Sequence, residues 1–124
     1  MKNLFIPYEL AVIAKEKGFN EPCFGFYTEE YKELIFSQPK IHLSNSLPTK
    51  PLNAPMYQQI VDWFREKHNI EVSVKSWKNE GDGKVIYVYS NKILGLPSTF
   101  RFDFKSELYY ETLNKAIEEA FKLI

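Results

Sequence analysis

The chain has a single cysteine, two histidines and no excess of either charge among its 124 residues. Each shortage excludes something. Cys23 by itself forms no intrachain disulfide, so a secreted scaffold held by disulfide staples is ruled out. Sixteen Lys and Arg against sixteen Asp and Glu leave no long-range field to draw the molecule onto phosphate backbones or anionic membranes. The balance is local too: residues 1–52 carry six Lys and six Glu, and residues 53–124 carry ten charges of each sign. No apolar run approaches the length that spans a bilayer. The start, Met1-Lys2-Asn3-Leu4-Phe5-Ile6-Pro7, has neither an apolar core nor a small-residue cleavage site, and no Asn-x-Ser/Thr sequon occurs. The expectation is a cytoplasmic protein with no membrane partner.

Chemistry-bearing patterns are equally scarce. Cys23, His42 and His68 stand far apart, and neither CxxC nor HExxH is present, so no metal or other cofactor is expected. Cys23 sits beside Phe24 in a strand-like segment, away from the helix N-terminus or cationic neighbour that a reactive thiolate needs. A small buried hydrophobe is its expected role. Glu29 and Glu30 are adjacent, so in extended chain they point to opposite faces and form no acid/base dyad. Gly81-Asp82-Gly83 is too short to cradle phosphate and leads into no helix; it reads as hairpin chemistry. The chain is therefore expected not to be an enzyme.

Aromatic residues, by contrast, are abundant. Ten Phe, eight Tyr and two Trp make up 16% of the residues within an apolar share of 44%, which places the chain among folded proteins. Its length fits one domain with a core of its own.

Periodicity then sets out the elements. Tyr57, Ile60, Val61 and Phe64 recur at i, i+3, i+4 and i+7, the apolar stripe of a helix over 54–68 with Asn53 as its N-cap. Asn69 can supply its C-terminal turn, and His68 suits the negative end of the dipole. Directly afterwards the period changes to two, predicting a strand over 70–77. A hairpin at Asn79-Glu80-Gly81-Asp82-Gly83 leads to a second strand over 84–91. That strand is apolar on both faces, through Val85, Tyr87 and Tyr89 on one and Ile86 and Val88 on the other, so it belongs in the middle of a sheet. Phe100, Phe102 and Phe104 alternate with Arg101 and Asp103 in a third strand over 99–104. Leu113, Ala116, Ile117, Ala120, Phe121 and Ile124 mark a final helix over 112–123, with Thr112 as N-cap and Glu118 placed to pair with Lys122.

The N-terminal part is less regular. A helix is predicted from about Pro7 to Lys17, ended by Gly18, with Phe19 packing back on its last turn. Residues 23–27 and 33–36 read as two extended pieces of a hairpin. Residues 37–52, with Ser44, Asn45, Ser46, Pro48 and Pro51, read as a loop in preference to a linker between lobes. The fold class is α+β: a single domain over 1–124, with a three-stranded antiparallel sheet on helices in α-β-β-β-α order. Helices 54–68 and 112–123 are expected on one face of that sheet, and the N-terminal elements complete the core or extend the sheet.

Several stretches resemble a known group. Pro7-Tyr8-Glu9-Leu10-Ala11, Lys15-Glu16-Lys17-Gly18-Phe19, Glu21-Pro22-Cys23-Phe24-Gly25, Ala54-Pro55-Met56-Tyr57-Gln58-Gln59 and Trp63-Phe64-Arg65-Glu66-Lys67-His68 are similar to small uncharacterised proteins of Bacteroidetes genomes, prophages and mobile elements. The resemblance spans nearly the whole chain and implies a phage or mobile-element context, but no activity. The Thr112-Leu113-Asn114-Lys115 start of the last helix departs from the more acidic start of that group. The order helix, three strands, helix also resembles the double-stranded-RNA-binding domain. The basic cluster that family uses is reduced here to Lys115 beside Glu111, Glu118 and Glu119.

Two functional expectations follow. The first is a protein-interaction module, self-associating or binding a protein partner, because large aromatics are enriched at interface hot spots. Trp77, Tyr87, Tyr89, Tyr109 and Tyr110 are the candidate contact residues. The competing view is that these aromatics simply fill the core. The second expectation is nucleic-acid binding, with Lys75, Trp77, Lys78, Lys84 and Tyr87 as a stacking surface. Zero net charge, and Glu71, Glu80 and Asp82 on the same hairpin, disfavour it.

Overall fold

Hydrophobic periodicity produces three α-helices and six strands in the computed structural model, which describes residues 2–28, 32–40, 51–97 and 100–124. The elements are α1 (Tyr8–Glu16), β1 (Cys23–Thr28), β2 (Leu34–Lys40), β3 (Pro51–Ala54), α2 (Tyr57–His68), β4 (Ile70–Lys78), β5 (Val85–Ile93), β6 (Arg101–Ser106) and α3 (Tyr109–Phe121). The class is α+β, as the sequence predicts. The chain divides into two compact units, Met1–Ile60 and Val61–Ile124, with the division inside α2.

In the N-terminal unit Pro7, with φ −68° and ψ 163°, sets the entry to α1. Gly18 ends it at φ +99°, where a side chain would be strained, and the amide of Phe19 turns back to the Ala14 carbonyl at 2.9 Å. α1 buries Leu10, Ala11 and Ala14, and Phe19 is buried beside them in the sequence. The extended pieces form the expected antiparallel hairpin, β1 with β2. They do not extend the C-terminal sheet. They build a second three-stranded sheet of order β2-β1-β3.

β3 accounts for two corrections. Residues 37–40 continue β2, and residues 51–52 lie in β3 instead of the expected loop; residues 41–50 fall outside the described residues. Asn53 is not a helix cap: it pairs with Phe26 in the β1–β3 ladder, and α2 begins only at Tyr57. Ladder hydrogen bonds to β1 outweigh the local capping preference of Asn, a common override of propensity by pairing. At Gly25 a Cβ would meet the Phe5 ring at 3.0 Å and Leu34 at 3.2 Å, so a larger residue would have to push these side chains aside. Tyr27 closes the unit by donating its hydroxyl to the Ile6 carbonyl at 2.6 Å.

The C-terminal unit is the predicted antiparallel sheet, in order β4-β5-β6 with β5 central. Asn69 takes the left-handed conformation (φ 56°) that ends α2 and turns the chain into β4. The β4–β5 loop is fixed by Asn79 and Asp82, whose carboxamide and carboxylate oxygens accept from the amides of Gly81 and Lys84, both at 2.9 Å. Gly83 supplies the positive φ, +72°. β6 runs 101–106 in place of 99–104, and its ladder with β5 slips: Tyr89 faces Arg101 while Tyr87 faces Ser106. The slip is a bulge on the β6 side, which interrupts the expected regular alternation of Phe102 and Phe104.

α3 packs against all three strands. It starts at Tyr109 with Leu108 in the capping position, three residues ahead of the predicted start. Thr112 is therefore not a cap. It is a fully buried residue whose hydroxyl lies 3.4 Å from the carbonyls of Leu108 and Tyr87, bonding back along the helix and across to β5. Glu118 and Lys122 do pair, at 4.0 Å. Phe64 of α2 meets Phe121 of α3, ring centroids 4.9 Å apart, and Trp63 flanks both.

Candidate functional site

Cross-strand partners in an antiparallel ladder share a face, and successive residues alternate. Lys75 pairs with Val88 and Trp77 with Ile86, so these four lie on one face of the C-terminal sheet. Ser76 pairs with Tyr87 and Val74 with Tyr89, on the opposite face that α3 covers. The candidate contact residues are thereby separated. Trp77 stands on the face away from α3, at an exposed end of it, since Val88 and Ser90 on the same face are buried, while Tyr87, Tyr89, Tyr109 and Tyr110 belong to the α3 side.

There Trp77 is 47% exposed and meets Phe102 edge to face, centroids 5.6 Å apart, with Phe102 itself 46% exposed. Lys75 places its ammonium 5.6 Å from the Trp77 ring and 5.3 Å from the Phe100 ring. Phe102 and Phe100 were not among the predicted contact residues. Their alternation with Arg101 marked a strand, and only the β5–β6 pairing brings Phe102 across to Trp77.

On the other side a tyrosine chain forms at the first turn of α3. Tyr87 meets Tyr109 at 5.5 Å and Tyr109 meets Tyr110 at 5.2 Å, both nearly perpendicular. Tyr109 remains exposed and Tyr110 is half-buried. Tyr89 does not share that surface: it is 1% exposed, and burial raises its phenol above the ordinary range.

Below Tyr89 the same side carries a set of charges. Arg101 lies opposite Tyr89 in the ladder and donates from Nε and Nη2 to the Asp103 carboxylate at 3.3 and 3.1 Å. Lys115 and Lys122 of the α3 region reach Glu119 at 3.1 and 3.0 Å, and these bonds lower the Glu119 carboxyl. Tyr89, Asn91, Arg101, Glu119, Lys122 and Leu123 line a cavity of about 170 Å³.

Cys23 is buried in β1, and its Sγ lies 3.3 Å from the Glu21 carbonyl. Burial first, and the Glu21 charge second, push the thiol up to about 12, so it is neutral near pH 7. Glu29, Glu30 and His42 lie outside the described residues. Among the described residues no group of three or more His, Cys, Asp or Glu is placed to hold a metal ion. Nor is any helix among them long and apolar enough to cross a membrane. No family model, curated protein or solved structure matches the chain.

Proposed function

We propose that the chain is a small non-enzymatic protein-interaction module that binds through the exposed Trp77–Phe102 end of its C-terminal sheet. The carrying observation is the Trp77–Phe102 pair, two large aromatics in mutual contact and each nearly half exposed. Rings of this kind bury ~150–250 Å² when fully covered, so each has on the order of 100 Å² left to hide. At ~25 cal/mol/Å² the pair gains about 5 kcal/mol from a partner that covers both. Lys75 adds a cation at the edge of the patch, a feature common at interface rims. The buried, neutral thiol of Cys23 argues against a cysteine nucleophile, and the resemblance to Bacteroidetes phage and mobile-element proteins supports that context, in which a regulator or counter-defence factor would act.

The experiment is sedimentation across a concentration series, combined with retention of partners from the native host. Trp77→Ala and Phe102→Ala serve as controls whose folding is verified by circular dichroism. Association that weakens in both variants supports the reading. A strict monomer that retains nothing overturns it. Retention of nucleic acid, with affinity falling steeply between two salt concentrations, transfers the surface to the rival reading.

A further inference from the structure

β4 is an outer strand of the C-terminal sheet, paired with β5 alone. Hydrogen-bonded partners alternate along an antiparallel ladder. At its two ends the Asn79 amide donates to the Lys84 carbonyl and the Leu94 amide to the Asn69 carbonyl, both at 2.8 Å. The register between them runs without a bulge, so the odd-numbered residues of β4 bond inward to β5. The N–H and C=O groups of Val74, Ser76 and Lys78 therefore point to the outer edge, where no backbone group meets them among the described residues. Lys75, Ser76, Trp77 and Lys78 are all exposed.

An uncovered edge of this kind is a template for one more strand, and its charges decide which strand. From Val72 to Asn79 the only charged residues are Lys75 and Lys78. Among the described residues neither forms an ion pair with a carboxylate; Lys75 lies over the Trp77 and Phe100 rings instead. A second copy added edge to edge would bring the same two lysines from each chain together with no acid on either strand, and like charges across a ladder are destabilising. An acidic strand neutralises both.

Resting on the protein-interaction reading, we propose that β4 takes up an extended acidic segment of a partner protein as an added strand. That segment carries an apolar residue opposite Trp77 and acidic residues opposite Lys75 and Lys78. Phe102 already holds one side of the Trp77 ring, and the apolar residue covers the other. Outward backbone groups give the attachment, and the cross-strand pairs give the selectivity. Single-stranded nucleic acid needs a track of cations along its backbone, whereas Lys75 and Lys78 stand on opposite faces of the sheet.

The test is an amide NMR titration of the intact chain with the end-blocked peptide Thr-Glu-Val-Phe-Glu-Thr, its lysine counterpart Thr-Lys-Val-Phe-Lys-Thr and an oligothymidylate. The acidic peptide sets its charges three apart and an apolar residue opposite Trp77 in either strand direction. It is expected to give saturable shifts over residues 74–78 and to slow exchange of the Ser76 and Lys78 amides. The lysine peptide should bind roughly 10-fold more weakly, and Lys75→Glu, at an exposed position, should narrow or reverse that preference while keeping the spectrum of the fold. Absence of saturation by the acidic peptide overturns the proposal. So do shifts without protection of those two amides, tighter binding of the oligothymidylate, or protection that appears with chain concentration alone. Equal binding of both peptides at Trp77 also overturns it, yet leaves the protein-interaction reading standing; that reading fails separately, when the chain retains no partner and stays a strict monomer.

Discussion

Arg65 grips Glu71 with a two-pronged fork, Nε to Oε2 at 2.6 Å and Nη2 to Oε1 at 2.9 Å. The pair ties the last turn of α2 to the second residue of β4 across Asn69, and Asp62 holds the remaining arm of the guanidinium at 3.0 Å. The Arg65 hydrogen bonds lower the Glu71 carboxyl below its ordinary value, against a smaller opposing effect of burial. A depressed carboxyl contributes stability above its unfolded pKa and loses it as pH falls through its folded value. Glu71→Gln is therefore expected to be less stable than the parent at neutral pH and indistinguishable from it in strong acid. Urea midpoints measured across the acid range check this. Arg65→Lys should reproduce part of the loss, because an ammonium cannot make the parallel bonds.

Phe64 is fully buried, between Trp63 and Phe121. Phe64→Ala should cost about 3–5 kcal/mol by emptying that site. Equilibrium denaturation gives the value directly. Unfolding at the parental midpoint would show that these rings are not the core of the C-terminal unit.

At Asn69 the backbone carries a left-handed φ of 56°, and its carbonyl accepts from the Leu94 amide at 2.8 Å. Replacement by alanine should cost roughly 1–2 kcal/mol, the penalty of a Cβ in that conformation. Replacement by glycine should cost much less. The comparison of the two melting curves isolates backbone strain from the loss of the side chain.

Cys23 should resist thiol reagents at neutral pH in the native protein and react once it is unfolded. Its thiol rises from 9.0 to about 12 on folding. The unfolded chain gives up this proton first. Stability from this group is thus complete below about pH 9 and declines as pH rises toward 12, by ~1.4 kcal/mol per pH unit. The stability difference between the parent and Cys23→Ala, measured at rising pH, should shrink across that window.

Much of the fold was legible in the residues themselves. Helical and strand periods are local properties, and the change from the helical period at Tyr57–Phe64 to period two at Ile70–Val74 located α2 and β4 closely. The two apolar faces of Val85 to Tyr89 identified the central strand. Gly18, Gly83 and Asn69 marked turns because few other residues tolerate positive φ there.

Tertiary structure decided what depends on partners distant in sequence. Asn53 and Thr112 both look like helix caps, yet one pairs with Phe26 and the other bonds across to the Tyr87 carbonyl. Capping preference is worth only ~1 kcal/mol, and a ladder or a buried helix turn outweighs it. The aromatic residues show the same limit most clearly. Composition established that they were numerous; register alone put Trp77 beside Phe102 on the face away from α3 and Tyr89 inside. Because the side-chain period of a strand is two, pairing decides which face each ring occupies, and pairing is not a local property.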